Sequence, residues 1–443
     1  MNKNITIIGA GLAGCECAYQ LASRGFFVEL YEMRPQKSSP AHKTNEFGEL
    51  VCSNSFRSNN IKTSAVGLMH KELESLNSLI IKTAYQHRVP AGDALAVDRI
   101  EFSKSLTKSI SNHPNIKVIT EEIINVKEMC KEGIVVIATG PLTSEGLSQN
   151  IREIVGEKEL NFFDAIAPII YKDSINFNYA WYQSRYDRDN SKDYINCGLN
   201  KEEYNIFYNE LINAEYTTFE DFEKDIKHFE GCLPIEEMAR RGEQTLLFGP
   251  MKPVGLVNPY TQEQPYAVVQ LRQDNLQGTL YNMVGFQTKM KYNEQKRVLK
   301  LIKGLENAEF AKLGSIHKNM FINSPKLLNK DLSLKSNNNI YFAGQITGCE
   351  GYVESTAVGL IVALMISFRY QNKTLEIPNT LSIGAILNHI TEAKADFQPS
   401  NINFGLFDHS IFEGKKKIKK QDKKDIIINK ALLSINIFNQ LVN

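Results

Sequence analysis

The chain has 443 residues, of which 42% are hydrophobic and 23% charged, and a formal net charge of +1. That length exceeds one ordinary core and predicts two domains, in series or interleaved. The balanced charge excludes a protein that holds polyanions through its overall field, so a nucleic-acid partner has to be met by a local basic patch.

The first stretch, "ITIIGAGLAGCECAYQLASRGFFVELYE", reads as a strand over Ile5–Ile8, a glycine turn and a helix to about Ser23. Gly25 then stops the helix, and a second strand over Phe27–Tyr31 ends at Glu32. Gly9, Ala10, Gly11, Leu12, Ala13 and Gly14 form a G-x-G-x-x-G turn. Gly9 permits the tight bend, Gly11 lets a pyrophosphate approach the backbone, and Gly14 packs helix on strand. The helix N-terminus offers unpaired N–H groups to phosphate, and Glu32 is placed to accept from a ribose diol. A glycine turn alone is a weak signal. Strand, helix, strand and acid in register make it a dinucleotide site. Because "NITII" runs straight into glycines, no leader peptide is expected.

Seven cysteines, odd in number and without C-x-x-C spacing, predict reduced thiols in the cytoplasm and no metal site. Cys15 and Cys17 read as packing residues on the first helix. Cys52 is different, lying among small polar residues in "ELVCSNS".

"NHPNIKVIT" looks like part of a small sheet excursion, and "GIVVIATGP" is a buried strand running into Ala138, Thr139 and Gly140. The character of the chain then changes. "LNKEEYNIFYNELINAEYTTFEDFEKDI" predicts one or two helices, with Asn200 and Glu203 at capping-box spacing. Proline- and glycine-punctuated segments follow, "CLPIE" with Cys232 and "FGPMKPVGLVNPY".

"NIYFAGQITGCEGYVESTAVGL" is a strand ending at Gly344 and Gln345, a glycine turn to Gly351, and a long helix. Strands so far apart that return to one nucleotide sheet favour FAD over NAD as the resident dinucleotide. The helix N-terminus near Gly351 is expected to face the flavin. A second G-x-G-x-x-G and the C-x-x-x-x-C of disulfide reductases are both missing. "AVGLIVALMISF" is too short to span a bilayer and reads as a buried helix, so no membrane association is expected. The lysine run "KKKIKKQDKK" (415–424) is either a solvated face or a phosphate contact.

These elements predict an α/β protein: a Rossmann-like FAD-binding fold with an inserted α+β domain. The expected division is 1–165 for the first part of the FAD domain, 166–290 for a substrate-binding insertion, and 291–443 for the second part with the basic tail.

The blocks "GAGLAG", "YEMRP", "ELVCSNS", "ALAVDR", "IATGPLTS", "EGCLPIEEMARRG", "LLFGPMKPVGL", "PYAVVQLRQDN", "LYNMVGFQT", "FAGQITG" and "EGYVES" occur in this order. Together they resemble the folate- and FAD-dependent tRNA uracil-5-methyltransferases, small relatives of the GidA-type flavoproteins, from Ile5 to about Leu406. The resemblance implies a GidA-type FAD fold and NADH or NADPH as reductant. It implies methylenetetrahydrofolate as one-carbon donor, through a flavin-bound methylene, and 5-methyluridine as product at the T-loop uridine of tRNA.

Cys52 and Cys232 fall in the blocks that hold the family's functional cysteines. Uracil C5 is a poor nucleophile. A thiolate added at C6 makes C5 an enolate carbon able to attack an electrophilic methylene, after which a base must take the C5 proton. The resemblance gives Cys232 the C6 addition and Cys52 the proton transfer, with exchange of the two roles open. A thiol near roughly 8.5 has to be lowered for this, and Arg240, Arg241 and Lys252 are the expected source of the field. Tyr352 falls where a family aromatic stacks near the isoalloxazine, with packing at a helix start as its other reading. Arg99 and Arg272 are either anion ligands or solvated surface.

Three positions depart from the family pattern: Asp93 for an expected glycine, Phe56 for leucine and Cys349 for valine. None is a residue the chemistry needs. Three other readings stay open: the same chemistry on a uridine of 23S ribosomal RNA, an NAD(P)H:FAD oxidoreductase without RNA, and an RNA-binding flavoprotein without activity.

Overall fold

The structure, a computed structural model, describes residues 4–39, 41–131, 133–156, 160–186, 191–217, 233–393, 397–412 and 419–442. Its central layer is a six-stranded sheet in the order Ser333–Leu334, Asn337–Phe342, Ile134–Ile137, Asn4–Ile8, Phe27–Glu32, Ile116–Thr120. All neighbours run parallel except the short edge strand Ser333–Leu334. "IVVI" is buried at all four positions, as a strand covered on both faces requires. Ile116–Thr120, expected in a separate small sheet, instead closes this layer beside Phe27–Glu32. The separate small sheet is formed by Ser55–Ser58, Ala94–Val97 and Arg88–Val89.

Two helices pack on the sheet and on each other. Leu12–Ser23 crosses Tyr352–Tyr370 at Gly359, where a Cβ would overlap the Ala13 carbonyl oxygen. The second helix is long and apolar enough to cross a membrane by composition, yet it is the centre of this domain, buried throughout Val353–Phe368. Glu72, on the helix Ala65–Ser75, accepts from Ser382 N (2.8 Å), Ser382 Oγ (2.6 Å) and Ile383 N (3.0 Å), and so caps the helix Ser382–Thr391.

The insertion is a six-stranded antiparallel sheet: Ala180–Tyr182, Tyr194–Leu199, Ala267–Gln273, Leu280–Met283, Ile169–Tyr171, Phe310–Lys312. Lys201–Ile212 packs on it, and the Asn200–Glu203 capping box forms with both bonds at 2.9 Å. The core of this domain includes Ile170, Phe207, Met283, Val298, Leu299, Leu305 and Ala308. Residues 292–310 therefore lie with the insertion, not with the second part of the FAD domain expected to start at 291, because the helix Tyr292–Leu299 buries Val298 and Leu299 here. Leu160–Ile166 pairs with Ser315–Phe321 as the two-way passage between the domains.

The C-terminal helix Lys420–Val442 takes up the end of the lysine run. Lys423 and Lys424 sit over the rings of Phe412 and Phe404, each at 5.4 Å, an arrangement that engages the charge with an aromatic face. Residues 415–418 of that run lie outside the described residues.

Candidate functional site

The glycine turn has the geometry a dinucleotide needs. Gly9 has φ 101°, and a Cβ on it would stand 2.8 Å from the Ala138 carbonyl oxygen. At Gly14 a Cβ would overlap the Gly9 carbonyl oxygen, so only glycine lets the helix start this close to the strand. Gly11 is the contrast: a Cβ there would meet only Ala138 O, at 3.9 Å, and would otherwise project into open space. Gly11 is also the N-cap of Leu12–Ser23, and no side chain caps the first-turn N–H groups. An uncapped helix N-terminus behind a glycine that leaves room is a phosphate cradle.

Glu32 closes the second strand beside it. Its Oε2 accepts from Ala10 N at 3.0 Å, and its Oε1 accepts from Arg34 N (3.1 Å) and Arg34 Nε (2.9 Å). Burial opposes the charge on Glu32. The Arg34 bond and charge, with the Ala10 N–H, outweigh it and hold the carboxyl below its ordinary range. A carboxylate has about four acceptor sites, so room for a ribose hydroxyl remains. Arg34 also reaches Glu49 at 3.3 Å, tying the loop before Cys52 to the nucleotide cleft. Gly9, Gly11, Glu32, Arg34, His42 and Thr139 line this end.

A second cavity adjoins the nucleotide end, and Leu142 lines both. That cavity is walled by Cys52, Arg57, Gln345, Glu350, Gly351 and Tyr352, among others. Gly351 has φ 109° and caps the N-terminus of the long helix, again with no side-chain cap. Tyr352, the first residue of that helix, accepts from Cys52 N at 2.9 Å and Ser53 N at 3.2 Å. Burial and then the charge of Cys52 push its phenol up, so the ring oxygen takes two amides while its own hydrogen stays on. The Cys52 thiol is half-buried, 3.8 Å from the Ala165 carbonyl oxygen.

Three cations face Cys52. Arg99, Arg272 and Lys312 are all in electrostatic range of the thiol. Arg99 pairs with Asp274 at 2.5 Å and donates to Leu50 O at 3.2 Å. Arg272 donates to Asn54 Oδ1 at 3.1 Å, and Lys312 to Val51 O at 3.2 Å. All three thus clamp the loop 50–54 from neighbouring strands and helices. Arg272 is buried and Arg99 is half-buried with its side chain 15% exposed, so neither is solvated surface. Burial, then the charge of Arg99, lowers the Lys312 ammonium. Arg240 is instead paired with Glu237 at 2.8 Å and stacked 4.5 Å over Tyr216, and neither Arg240, Arg241 nor Lys252 lines this cavity.

Carboxyls complete the wall. Glu354 pairs with Arg57 and accepts from Ile402 N at 2.7 Å. Gln345 Nε2 donates to Glu350 Oε2 at 2.6 Å. Burial first, then the charge of Asp164, pushes Glu350 well up, so it holds its proton. The residues missed from sequence are therefore Arg34, Arg57, Asp164, Lys312, Glu350 and Glu354. Arg34, Glu350 and Glu354 lay inside the quoted blocks "YEMRP" and "EGYVES". Arg57 and Lys312 gave no signal of their own.

With one exception, the expected site residues line these two adjoining cavities or stand in the backbone behind them. Cys52, Gln345, Gly351 and Tyr352 line one end, and Gly9, Gly11, Glu32 and Thr139 the other. Ala10, Leu12, Ala13, Gly14, Ala138, Gly140 and Gly344 form the backbone behind them. A Cβ on Gly344 would stand 2.6 Å from Ala13 Cβ. Cys232 lies outside the described residues. Among the described residues no group of three His, Cys, Asp or Glu is arranged to hold a metal. The glycine cradle, the held Glu32 and the two uncapped helix starts fit an FAD extended from the nucleotide end to the Cys52 cavity.

Residues 4–374 match the family model described as glucose inhibited division protein A. The chain is 54% identical to the methylenetetrahydrofolate--tRNA-(uracil-5-)-methyltransferase TrmFO of Bartonella henselae, over 98% of this chain and 96% of that protein. It is 51% identical to the protein of the same name from Acetivibrio thermocellus, over 99% and 98%. Among solved structures it is similar to Aquifex aeolicus GidA, with a TM-score of 0.70 at 15% identity, over 99% of this chain and 73% of that one, a likeness that speaks for the fold.

Proposed function

The chain belongs to the glucose inhibited division protein A family and, within it, to the TrmFO family, and we propose that it makes 5-methyluridine in tRNA from methylenetetrahydrofolate. The target we assign is the T-loop uridine, with NADH or NADPH as reductant and the cytoplasm as site of action. The observation that carries the reading is the position of Cys52: a thiol at the inner end of a dinucleotide cleft, its backbone held by Tyr352 and its loop clamped by three cations.

FAD, when bound, supplies the electron pair that takes the donated carbon from the methylene to the methyl level. The protein's own residues do the rest. A thiolate, Cys232 in our reading, adds to uracil C6 and leaves C5 able to attack the one-carbon unit. Cys52 takes the C5 proton, which lets the thiolate leave and restores the ring. The negative charge that develops on the uracil oxygen falls in the field of Arg99, Arg272 and Lys312, where a low dielectric makes each cation count for more than in water. Glu350, which keeps its proton, and the Tyr352 hydroxyl offer donors in the same cavity.

The test is direct. Purified FAD-loaded protein is incubated with methylenetetrahydrofolate carrying an isotopic label on its methylene, NADH, and RNA from cells lacking 5-methyluridine. Labelled 5-methyluridine in the tRNA fraction is the expected result. Label in ribosomal RNA alone keeps the chemistry and moves the target, whereas NADH oxidation with no labelled nucleoside leaves only an oxidoreductase.

A further inference from the structure

A second cleft, of about 500 Å³, lies between the insertion and the Gly92–Asp93 turn of the FAD domain and shares no lining residue with the Cys52 cavity. Asp93, Arg185, Tyr186, Asp193, Tyr194 and Gln270 line it. Tyr186 is its unusual member. It has φ 62°, a conformation that a bulky side chain adopts only under constraint, and it is 57% exposed. The constraint is visible: Tyr186 N donates to Gly255 O at 2.7 Å, and a Cβ on Gly255 would stand 2.8 Å from the tyrosine ring. One side of the ring thus rests against Gly255, and more than half of the residue is open to solvent. Arg185 is fixed beside it by Gln270 Oε1 at 2.9 Å and Val254 O at 2.8 Å.

The charges say what fits. Among the described residues, two carboxylates and one guanidinium line the cleft, a net negative charge that opposes a phosphate. Asp193 already accepts from Gly92 N at 2.7 Å, so the carboxylates present acceptors to a neutral ring with N–H donors. A flat heterocycle stacked on a held tyrosine, with its amino edge toward carboxylates, is the mode by which unstacked RNA bases are read.

The strand Ala267–Gln273 places this cleft relative to the reacting centre. Gln270 lines the cleft, and Arg272, two residues on and on the same face, donates to Asn54 in the Cys52 loop. Same-face neighbours on a strand stand about 7 Å apart. The cleft wall and the contact to the Cys52 loop are thus adjacent positions on one strand face.

We propose that this cleft binds a nucleobase flanking the target uridine, stacked on Tyr186, with a preference for bases that carry an amino group. The inference rests on RNA being the substrate.

The test compares wild type with Tyr186→Gly, which suits the positive φ while removing the ring, and Tyr186→Phe, which keeps the ring. The KM values for an unmodified tRNA transcript and for methylenetetrahydrofolate are measured, with flavin content and flavin reduction by NADH as folding controls. Tyr186→Gly is expected to raise the KM for the transcript about tenfold, with kcat and the folate KM unchanged and Tyr186→Phe near wild type. An unchanged transcript KM in a Tyr186→Gly protein that still methylates overturns the inference, as does a rise in the folate KM instead. If wild type itself makes no 5-methyluridine, the methyltransferase reading fails and this inference fails with it.

Discussion

The Tyr352 hydroxyl accepts the amide N–H of Cys52 at 2.9 Å, joining the first residue of the buried helix Tyr352–Tyr370 to the loop that carries Cys52. The helix is buried and rigid, so the loop inherits its position. Tyr352→Phe removes the acceptor of two amides at once. An unsatisfied buried amide costs about 1–3 kcal/mol, which predicts a Cys52 loop that no longer holds one geometry. The expected outcome is a methyl-transfer rate down by about tenfold or more with flavin content unchanged, measured by single turnover and by flavin absorbance.

Cys52→Ala takes away the group to which we assign proton transfer without touching the nucleotide end of the cleft. Formation of 5-methyluridine should fall by at least about a hundredfold. Oxidation of NADH by bound FAD should persist. Loss of both together would place Cys52 in flavin binding instead.

The glycines divide by what stands behind them. Gly14→Ala drives a Cβ into the Gly9 carbonyl and should destabilise the fold by about 3 kcal/mol or more, read as a lower unfolding midpoint. Gly11→Ala has room in the fold and projects into the phosphate cradle, so a stable protein with little bound flavin is expected. The ratio of flavin to protein absorbance after purification separates the two.

Glu72 predicts a pH dependence of stability. Burial dominates and raises its carboxyl from 4.5 to about 7, against the Ser382 and Ile383 bonds that favour its charge. The folded state therefore keeps a proton that the unfolded chain releases. The stability this contributes is complete below about pH 4.5 and is lost as pH rises through about 7. The full swing corresponds to about 3 kcal/mol. Glu72→Gln, which does not titrate, should flatten this part of the profile, checked by urea midpoints of both proteins at about pH 5 and about pH 8.

The nucleotide end was legible in the sequence because its determinants are local. Gly9, Gly11, Gly14 and Glu32 sit within one strand–helix–strand unit whose spacing is fixed by backbone geometry. The reacting end was legible only through resemblance, since Cys52, Gln345 and Tyr352 are brought together by sheet order. The cations around Cys52 were hidden for the same reason. Arg240, Arg241 and Lys252 are near Cys232 in sequence, while Arg99, Arg272 and Lys312 reach Cys52 through strands and a helix that arrive from elsewhere. The insertion boundary moved because Tyr292–Leu299 carries no mark of which core it joins until Val298 and Leu299 are seen buried in the antiparallel domain.

The measurement that reaches the centre of this chemistry is covalent trapping on a tRNA transcript containing 5-fluorouridine. Fluorine at C5 cannot leave as a proton does, so a thiolate that has added to C6 stays attached after the one-carbon unit is transferred. The expected result is a folate-dependent covalent complex whose RNA-bearing peptide contains Cys232, with Cys52 unmodified; RNA on Cys52 would exchange the two roles. A protein that oxidises NADH and binds the transcript but yields no complex, or one attached to neither cysteine, would contradict thiolate addition as the way this chain activates uracil.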